Sequence, residues 1–218
     1  MAAVSSSSTA ALRQLLAERF PSSRPHSARV LTTGLTALDE VTGGIPLGAI
    51  TEVVCAAPSC GGHLLFARLL AVTRAARNRV ALIDSSDSFD PTSYPEDALP
   101  HLLWVRAHHV EEALQAADLL TRDANLGLVL LDLRSESETA LRRIPAAQWY
   151  RLQRAVEPSG LALVVETPRP TVASALLRIE LNRSHPLSAL GVEQRVLSGL
   201  LSPAVQRQRI QFSTQVSR

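Results

Sequence analysis

The residues most suited to ligand chemistry lie in a loop between an apolar run and a helical pattern. This is the setting of a phosphate-binding loop. Residues 55–63 read Cys-Ala-Ala-Pro-Ser-Cys-Gly-Gly-His. Such a loop needs glycines that turn backbone N–H groups toward the anion, a lysine that reaches the β- and γ-phosphates, and a hydroxyl for magnesium. Here Cys55 or a neighbour replaces the leading glycine, the lysine is missing, and His63 follows Gly62 in place of a hydroxyl residue. The context predicts a nucleotide-binding fold, and the residue types predict that phosphate binding is lost or weakened.

Composition limits the class of protein. The chain has 218 residues, enough for one α/β domain with a full core and an appendage. Hydrophobic residues make up 46% and aromatic residues only 4%, so Leu, Val, Ile and Ala must form the core. All 22 basic residues are arginine, which a GC-rich coding sequence explains, although arginine also suits bidentate phosphate contacts. The net charge of +2 gives little support for nucleic-acid binding.

The cysteines and histidines suggest little further chemistry. Cys55 and Cys60 lie in one loop, so they form no disulfide framework; we interpret them as small loop residues, with a redox pair as the alternative. His108 and His109 are adjacent, point to different faces and make a poor metal pair. We expect no metal and no resident cofactor, while weak ATP or anion binding at the loop stays open.

Signals for export or membrane insertion are not found in the sequence. No apolar run approaches the ~20 residues that cross a bilayer. Residues 1–5 lack the charged and apolar regions of a secretory leader. A cytoplasmic protein without membrane partners is expected.

Apolar strands alternate with amphipathic helices from Val30 onward. This order predicts an α/β fold, with a mostly parallel sheet covered by helices on both faces. The predicted strands are residues 50–54, 80–84, 102–106, 127–132, 161–166 and 176–181, and the predicted helices are residues 36–41, 64–77, 110–122 and 148–156. Residues 195–197 and 209–212 are predicted to be edge strands of a hairpin.

Three acidic residues end predicted strands and should meet at one edge of the sheet. They are Asp84, Asp132 and Glu166. Ligand sites of parallel sheets lie at the carboxyl ends of the strands, where the loop 55–63 would also lie. Because the fold itself would bring these carboxylates together, we interpret Asp84 and Asp132 as inherited fold positions rather than as a metal or acid/base pair.

The N-terminal part carries a short amphipathic helix on a Pro/Ser-rich tether. Leu12, Leu15, Leu16 and Phe20 recur at helical spacing and form one apolar stripe. Residues 21–26 break the pattern and indicate a linker. The helix either packs on its own domain or docks on another chain. We divide the chain into an arm (1–29), a core (30–183) and a C-terminal extension (184–218).

The segment before the loop resembles the RecA-like recombinase core. It reads Thr-Gly-Leu-Thr-Ala-Leu-Asp at 33–39 and Gly-Gly-Ile-Pro-Leu-Gly-Ala-Ile-Thr-Glu-Val at 43–53. Residues 83–91 are similar to RecA's next strand with its trailing Asp-Pro, and residues 128–132 to a Walker B strand. The resemblance covers about residues 30–182. It implies a RecA-like, mostly parallel twisted sheet with a short N-terminal helical arm.

The same resemblance identifies which parts of an ATPase site are missing. The Walker lysine falls at Gly61 or Gly62, and Ser86 stands where a glutamate would polarise the attacking water. Phosphoryl transfer depends on positioning and on charge neutralisation at the phosphates, so these losses predict a pseudo-ATPase rather than an enzyme. The loop after Glu166 is also short where a recombinase has a long DNA-binding loop. The vestigial nucleotide site would comprise Ser59, Cys60, Gly61, Gly62, His63 and Asp132.

A narrower resemblance fits these departures. Residues 84–91, 102–106 and 141–145 are similar to stretches of the ImuA family, short RecA-like proteins of bacterial mutagenesis cassettes. That resemblance implies an inactive accessory scaffold in damage-induced (SOS) error-prone translesion DNA synthesis. Its implied partners are a Y-family polymerase-like protein of the ImuB type and an error-prone replicative-type polymerase. RecA itself or a second copy is a further candidate for the arm.

A cluster of arginines follows the Walker B-like strand: Arg134, Arg142, Arg143, Arg151 and Arg154. They could neutralise the phosphates of single-stranded DNA, but neighbouring glutamates dilute the charge, so a partner-docking or solvated face is favoured. The alternatives to a scaffold are a weak ATP-binding recombination mediator, a single-stranded DNA-binding protein, and a cell-division inhibitor of the SulA type.

Overall fold

The computed structural model describes residues 29–208, so the predicted arm with its stripe Leu12, Leu15, Leu16 and Phe20 lies outside the described residues. The strands are β1 (Val30–Leu31), β2 (Ile45–Pro46), β3 (Ala49–Cys55), β4 (Arg79–Asp84), β5 (Leu102–Arg106), β6 (Leu126–Asp132), β7 (Ala162–Thr167), β8 (Leu177–Leu181) and β9 (Ala204–Gln208). The α-helices are α1 (Thr36–Thr42), α2 (Gly62–Ala75), α3 (Val110–Leu120), α4 (Glu138–Arg142), α5 (Ala146–Val156) and α6 (Gln194–Gly199).

Seven strands form one sheet in the order β5-β4-β6-β7-β3-β8-β9. All neighbours are parallel except β9, which runs antiparallel to β8. Parallel strands need crossover connections: α2 lies between β3 and β4, α3 between β5 and β6, and α5 between β6 and β7. The predicted α/β architecture with a mostly parallel sheet is confirmed.

Helices cover both faces of the sheet, as its near-continuous apolar strands require. On one face α2 packs with an aromatic cluster in which the ring of Phe89 contacts Phe66, Tyr94 and Trp104. On the other face α3 and α5 pack, and Trp149 is 1% exposed. None of the helices within residues 29–208 is long and apolar enough to cross a membrane.

The Thr-Gly…Leu-Asp motif folds the chain rather than binding a ligand. The Asp39 carboxylate accepts hydrogen bonds from the backbone N–H groups of Thr33 and Gly34, and from Thr33 Oγ1 at 2.8 Å. At Gly44, where φ is +123°, a Cβ would lie 2.6 Å from the Leu31 carbonyl oxygen. The motif therefore closes a turn around α1 and lets two backbone segments approach closely.

The described part of the C-terminal extension, residues 184–208, adds one strand to the main sheet. Residues 195–197 lie in α6, so their prediction as a strand is wrong; a run of three residues is too short to distinguish the two periodicities. β9 pairs antiparallel with β8. The other predicted strand, 209–212, lies outside the described residues. The boundary after residue 183 thus divides one continuous sheet.

Candidate functional site

Three carboxylates stand side by side at the carboxyl edge of the sheet. The parallel register places Asp84 beside Asp132, and Asp132 beside Glu166. All three are buried, with Glu166 only 1% exposed. The predicted gathering of these residues is confirmed. β3 is the next strand after β7, so the loop 55–63 leaves the sheet at the same edge.

Asp84 shapes a turn instead of facing a ligand. Its carboxylate accepts hydrogen bonds from the backbone N–H groups of Ser86, Ser88 and Phe89 at 2.9–3.3 Å. Burial opposes ionisation, but these donors lower the pKa of Asp84 below its usual value. Ser86, at the position of the missing glutamate, is exposed. Within the described part of the chain, no three His, Cys, Asp or Glu side chains gather in a way that could hold a metal ion.

Arg134 fills the space between the other two carboxylates. Its Nε donates to Asp132 Oδ1 at 2.9 Å, and its Nη2 donates to Asp132 Oδ2. The same Nε lies 2.9 Å from Glu166 Oε2, yet neither Glu166 oxygen accepts a hydrogen bond from another described residue. Burial raises the pKa of Glu166 to about 7, although the charge of Arg134 acts in the opposite direction.

His63 and Gly62 meet the same guanidinium from the start of α2. Arg134 Nη2 lies 3.3 Å from His63 Nε2 and 3.4 Å from Nδ1. Burial, and then the charge of Arg134, lower the pKa of His63, so its ring is neutral at pH 7. A Cβ on Gly62 would lie 2.9 Å from Arg134 Nη1 and 3.1 Å from Cys55 Sγ. No hydroxyl side chain fits at residue 62 unless these groups move.

The C-terminal extension packs against Gly61, one of the two positions at which the resemblance to RecA places the lysine. Gly61 has a left-handed backbone, φ 97°, and a Cβ built there would overlap Leu201 Cδ2. Leu201 is 6% exposed. The backbone N–H of His185 donates to the Ser59 carbonyl at 3.0 Å, which joins the extension to the loop. The contact between Leu201 and Gly61 was not predicted, because no local sequence pattern links residue 201 to residue 61.

An open cavity of about 910 Å³ lies outside the loop. Its wall combines the loop with parts of the C-terminal extension, including Leu187 and Val192. Among the described residues that line it, Arg134 is the one Lys, Arg, Asp or Glu side chain, and this arginine is already ion-paired. The cavity has room for a small molecule but offers little uncompensated positive charge to a triphosphate.

A fourth buried carboxylate, which was not predicted from the sequence, anchors the loop after β7. Glu52 in β3 is fully buried and accepts hydrogen bonds from the backbone N–H groups of Thr171 and Val172. Thr167 Oγ1 donates to it at 3.0 Å, and Arg178 forms an ion pair with it. This short loop is therefore held against the sheet. The position of Glu52 inside an apolar strand could have predicted this role, because a buried carboxylate requires hydrogen-bond or charged partners.

The five arginines predicted to share one face are divided. The Arg134 side chain is 17% exposed and reaches into the loop site. Arg142 ion-pairs with Glu138, and Arg151 lies 3.6 Å from Asp118. The face offered to DNA or a partner is smaller and less positive than the sequence indicates. Its members are exposed on or beside α4 and α5: Arg142, Arg143, Arg151 and Arg154.

Comparison with curated proteins finds a distant similarity to bacterial RecA. Over 108 residues the chain is 32% identical to Protein RecA of Streptomyces coelicolor, Streptomyces lividans and Streptomyces ambofaciens. The match covers 47% of this chain and 28% of each relative. No family model matches the chain. Together with the mostly parallel sheet, the similarity supports a place in the RecA-like superfamily.

Proposed function

We propose that this protein is a RecA-like scaffold that does not hydrolyse ATP and that assists damage-induced, error-prone translesion DNA synthesis. One observation carries the proposal. Leu201 fills the space that a lysine at residue 61 would need, and Arg134 is already bound by Asp132 and Glu166. Leu201 thus occupies space, and Asp132 and Glu166 bind positive charge, that would be available to the triphosphate in an ATPase loop.

The charges around the loop also disfavour a triphosphate. Asp132 and Glu166 share the single guanidinium of Arg134. A like charge held about 4 Å from an uncompensated carboxylate costs about 4 kcal/mol at an effective dielectric constant of 20. In an ATPase a positioned lysine offsets such repulsion and a glutamate polarises the attacking water, and neither residue stands at the matching positions of this chain. ATP turnover is therefore not expected.

The setting in translesion synthesis rests on two likenesses. The similarity to RecA supports a role in DNA repair or recombination, and the ImuA-like stretches narrow that role. The proposed partners are a Y-family polymerase-like protein of the ImuB type, an error-prone replicative-type polymerase, and RecA or a second copy. Exposed apolar side chains on the extension, with Leu187 86% exposed and Val196 52% exposed, favour binding to protein rather than to DNA.

The docking role of the N-terminal stripe is tested by pull-down with these partners. Leu15→Asp combined with Leu16→Asp should abolish association and leave the core folded. Ala10→Asp combined with Gln14→Asp adds the same charge to the opposite side of the predicted helix and should leave association intact. Unchanged pull-down by the stripe variant would reject the docking role.

The absence of ATPase activity is tested on the purified full chain. Turnover that Asp132→Ala abolishes would refute the proposal, and tight nucleotide binding by calorimetry would favour the recombination mediator. Salt-dependent binding to single-stranded DNA, measured by fluorescence anisotropy at two salt concentrations, would favour the DNA-binding protein. Binding to the tubulin-like division protein would favour the SulA-type inhibitor.

A further inference from the structure

Both cysteines of the described chain lie in the loop 55–63 and line the open cavity outside it. Cys55 is the last residue of β3, and Cys60 stands two residues before the start of α2. Both are free thiols and both belong to the wall of the 910 Å³ cavity. A small oxidant in the cavity therefore has a path to them, although Cys60 itself is only 6% exposed.

The curled backbone of the loop brings the two sulfurs together. Ser59 and Gly61 both have left-handed backbones, with φ values of 53° and 97°. The Cys55 thiol hydrogen-bonds the Cys60 sulfur. Cys55 Sγ also lies 3.1 Å from the position of a Cβ on Gly62, so the absence of a side chain at residue 62 leaves room for this thiol.

The surroundings give the two thiols different reactivity. The hydrogen bond from Cys55 comes first, and the backbone N–H groups of Gly62 and Ala57 add to it; against the opposing effect of burial they lower the pKa of Cys60 to about 6. The same hydrogen bond, together with burial, raises the pKa of Cys55. Cys60 is therefore the more acidic of the two thiols, and Cys55 the less acidic one.

We infer that Cys55 and Cys60 form a peroxide-sensitive dithiol, in which Cys60 is the attacking sulfur and Cys55 the resolving one. The Cys60 thiolate attacks one oxygen of hydrogen peroxide; the O–O bond breaks, a sulfenic acid forms, and the leaving hydroxide takes up a proton to become water. Cys55 then attacks the Cys60 sulfur; the S–O bond breaks, a disulfide forms, and the second oxygen leaves as water. Two thiols are oxidised and one peroxide is reduced to two waters. A dithiol reductant of the thioredoxin class reverses the step by thiol–disulfide exchange.

The proposal is tested with hydrogen peroxide on the full chain and on two serine variants. The wild-type chain should lose about 2 Da and yield one intramolecular Cys55–Cys60 crosslinked peptide. Cys55→Ser should stop at the sulfenic acid, which dimedone traps on Cys60. Cys60→Ser should leave Cys55 unmodified under the same exposure. A wild-type chain that keeps two free thiols, or dimedone on Cys55, would overturn the proposal.

A second measurement needs no variant. With substoichiometric iodoacetamide at pH 7, Cys60 of the folded chain should be labelled at least about tenfold more than Cys55, since Cys60 is the more acidic thiol. After denaturation in urea the two should be labelled alike. Equal labelling in the folded chain would contradict the assigned roles.

Discussion

Leu201 packs against Gly61: its Cδ2 lies 2.3 Å from the position that a Cβ at residue 61 would take, so any larger residue there requires Leu201 to move. The space beside Gly61, one of the two positions at which the resemblance to RecA places the lysine, is thus occupied by a residue 140 positions later in the chain. A lysine introduced at residue 61 therefore needs a compensating change at Leu201, and the first prediction follows from this requirement.

Restoring the lysine alone should not restore ATP binding. Gly61→Lys should lower the free energy of unfolding by about 1–3 kcal/mol, because overpacking against Leu201 adds to the strain of a left-handed backbone. With Leu201→Ala in the same chain, the two costs should be less than additive, because the overlap is relieved. Urea unfolding measures both, and calorimetry measures ATP. Additive costs, or ATP binding by Gly61→Lys alone, would contradict the proposed packing.

Removing the guanidinium should destabilise the site strongly. Arg134→Met leaves Asp132 and Glu166 buried without a counterion and should cost about 3–5 kcal/mol in urea unfolding. Adding Glu166→Gln should recover part of that loss, because a glutamine at residue 166 needs neither a counterion nor a bound proton. The exposed Arg154→Met is the matched control and should stay within about 0.5 kcal/mol of the wild type. Equal stability of the two arginine variants would disprove the role of the ion pairs.

Stability should fall with rising pH because of Glu166. Burial raises its pKa to about 7 in the folded chain from an ordinary 4.5, so the folded state binds the proton more tightly than the unfolded state. The contribution is fully present below pH 4.5 and is lost as the pH rises to about 7, a change of about 3 kcal/mol. Glu166→Gln should flatten the free energy of unfolding across this window. An unchanged pH profile of stability in that variant would show that another group causes the pH dependence.

The loop after β7 should loosen when its anchor is removed. Glu52→Gln weakens the contact with Arg178 and the acceptor for the Thr171 and Val172 amides. Hydrogen exchange of these two amides should become at least about tenfold faster, since charged acceptors contribute about 1.5–3 kcal/mol. The exposed Glu157→Gln is the control and should leave their exchange unchanged. Unchanged exchange in both variants would mean that the loop is held by other contacts.

The acidity of Cys60 should depend on its neighbour. The hydrogen bond from Cys55 is the first cause of the lowered pKa of Cys60, so Cys55→Ala should raise that pKa. Cys55→Ser keeps a donor and should raise it less. The pH dependence of alkylation at Cys60 measures both values. A pKa for Cys60 that is identical in the two variants would show that the hydrogen bond has no effect.

The sheet was predictable from local patterns. The strand predicted at residues 102–106 has the bounds of β5, and the strand predicted at 80–84 differs from β4 by one residue. Apolar runs of strand length between helical patterns indicate burial on both faces, and each residue carries that signal independently of distant contacts. The gathering of Asp84, Asp132 and Glu166 was equally predictable, because parallel strands end at one edge.

The site was predictable only in part. The absence of a lysine from the loop was evident in the sequence. Arg134, however, was predicted to lie with surface arginines, whereas its guanidinium lies between Asp132 and Glu166. The residue lies two positions beyond a strand end, and the direction of its side chain depends on which carboxylates the neighbouring strands bring close. No spacing in the sequence encodes that direction.

The sequence by itself determined most of the central strands and the larger helices, which strand ends carry carboxylates, and that the loop 55–63 contains no lysine. These are properties of composition and short-range periodicity. Only the tertiary structure decided that Leu201 packs on Gly61, that Arg134 is ion-paired with Asp132 and Glu166, and that Glu52 holds the loop after β7. Each of these contacts joins groups that the strand order of the sheet brings together. The contacts therefore exist only in the folded chain.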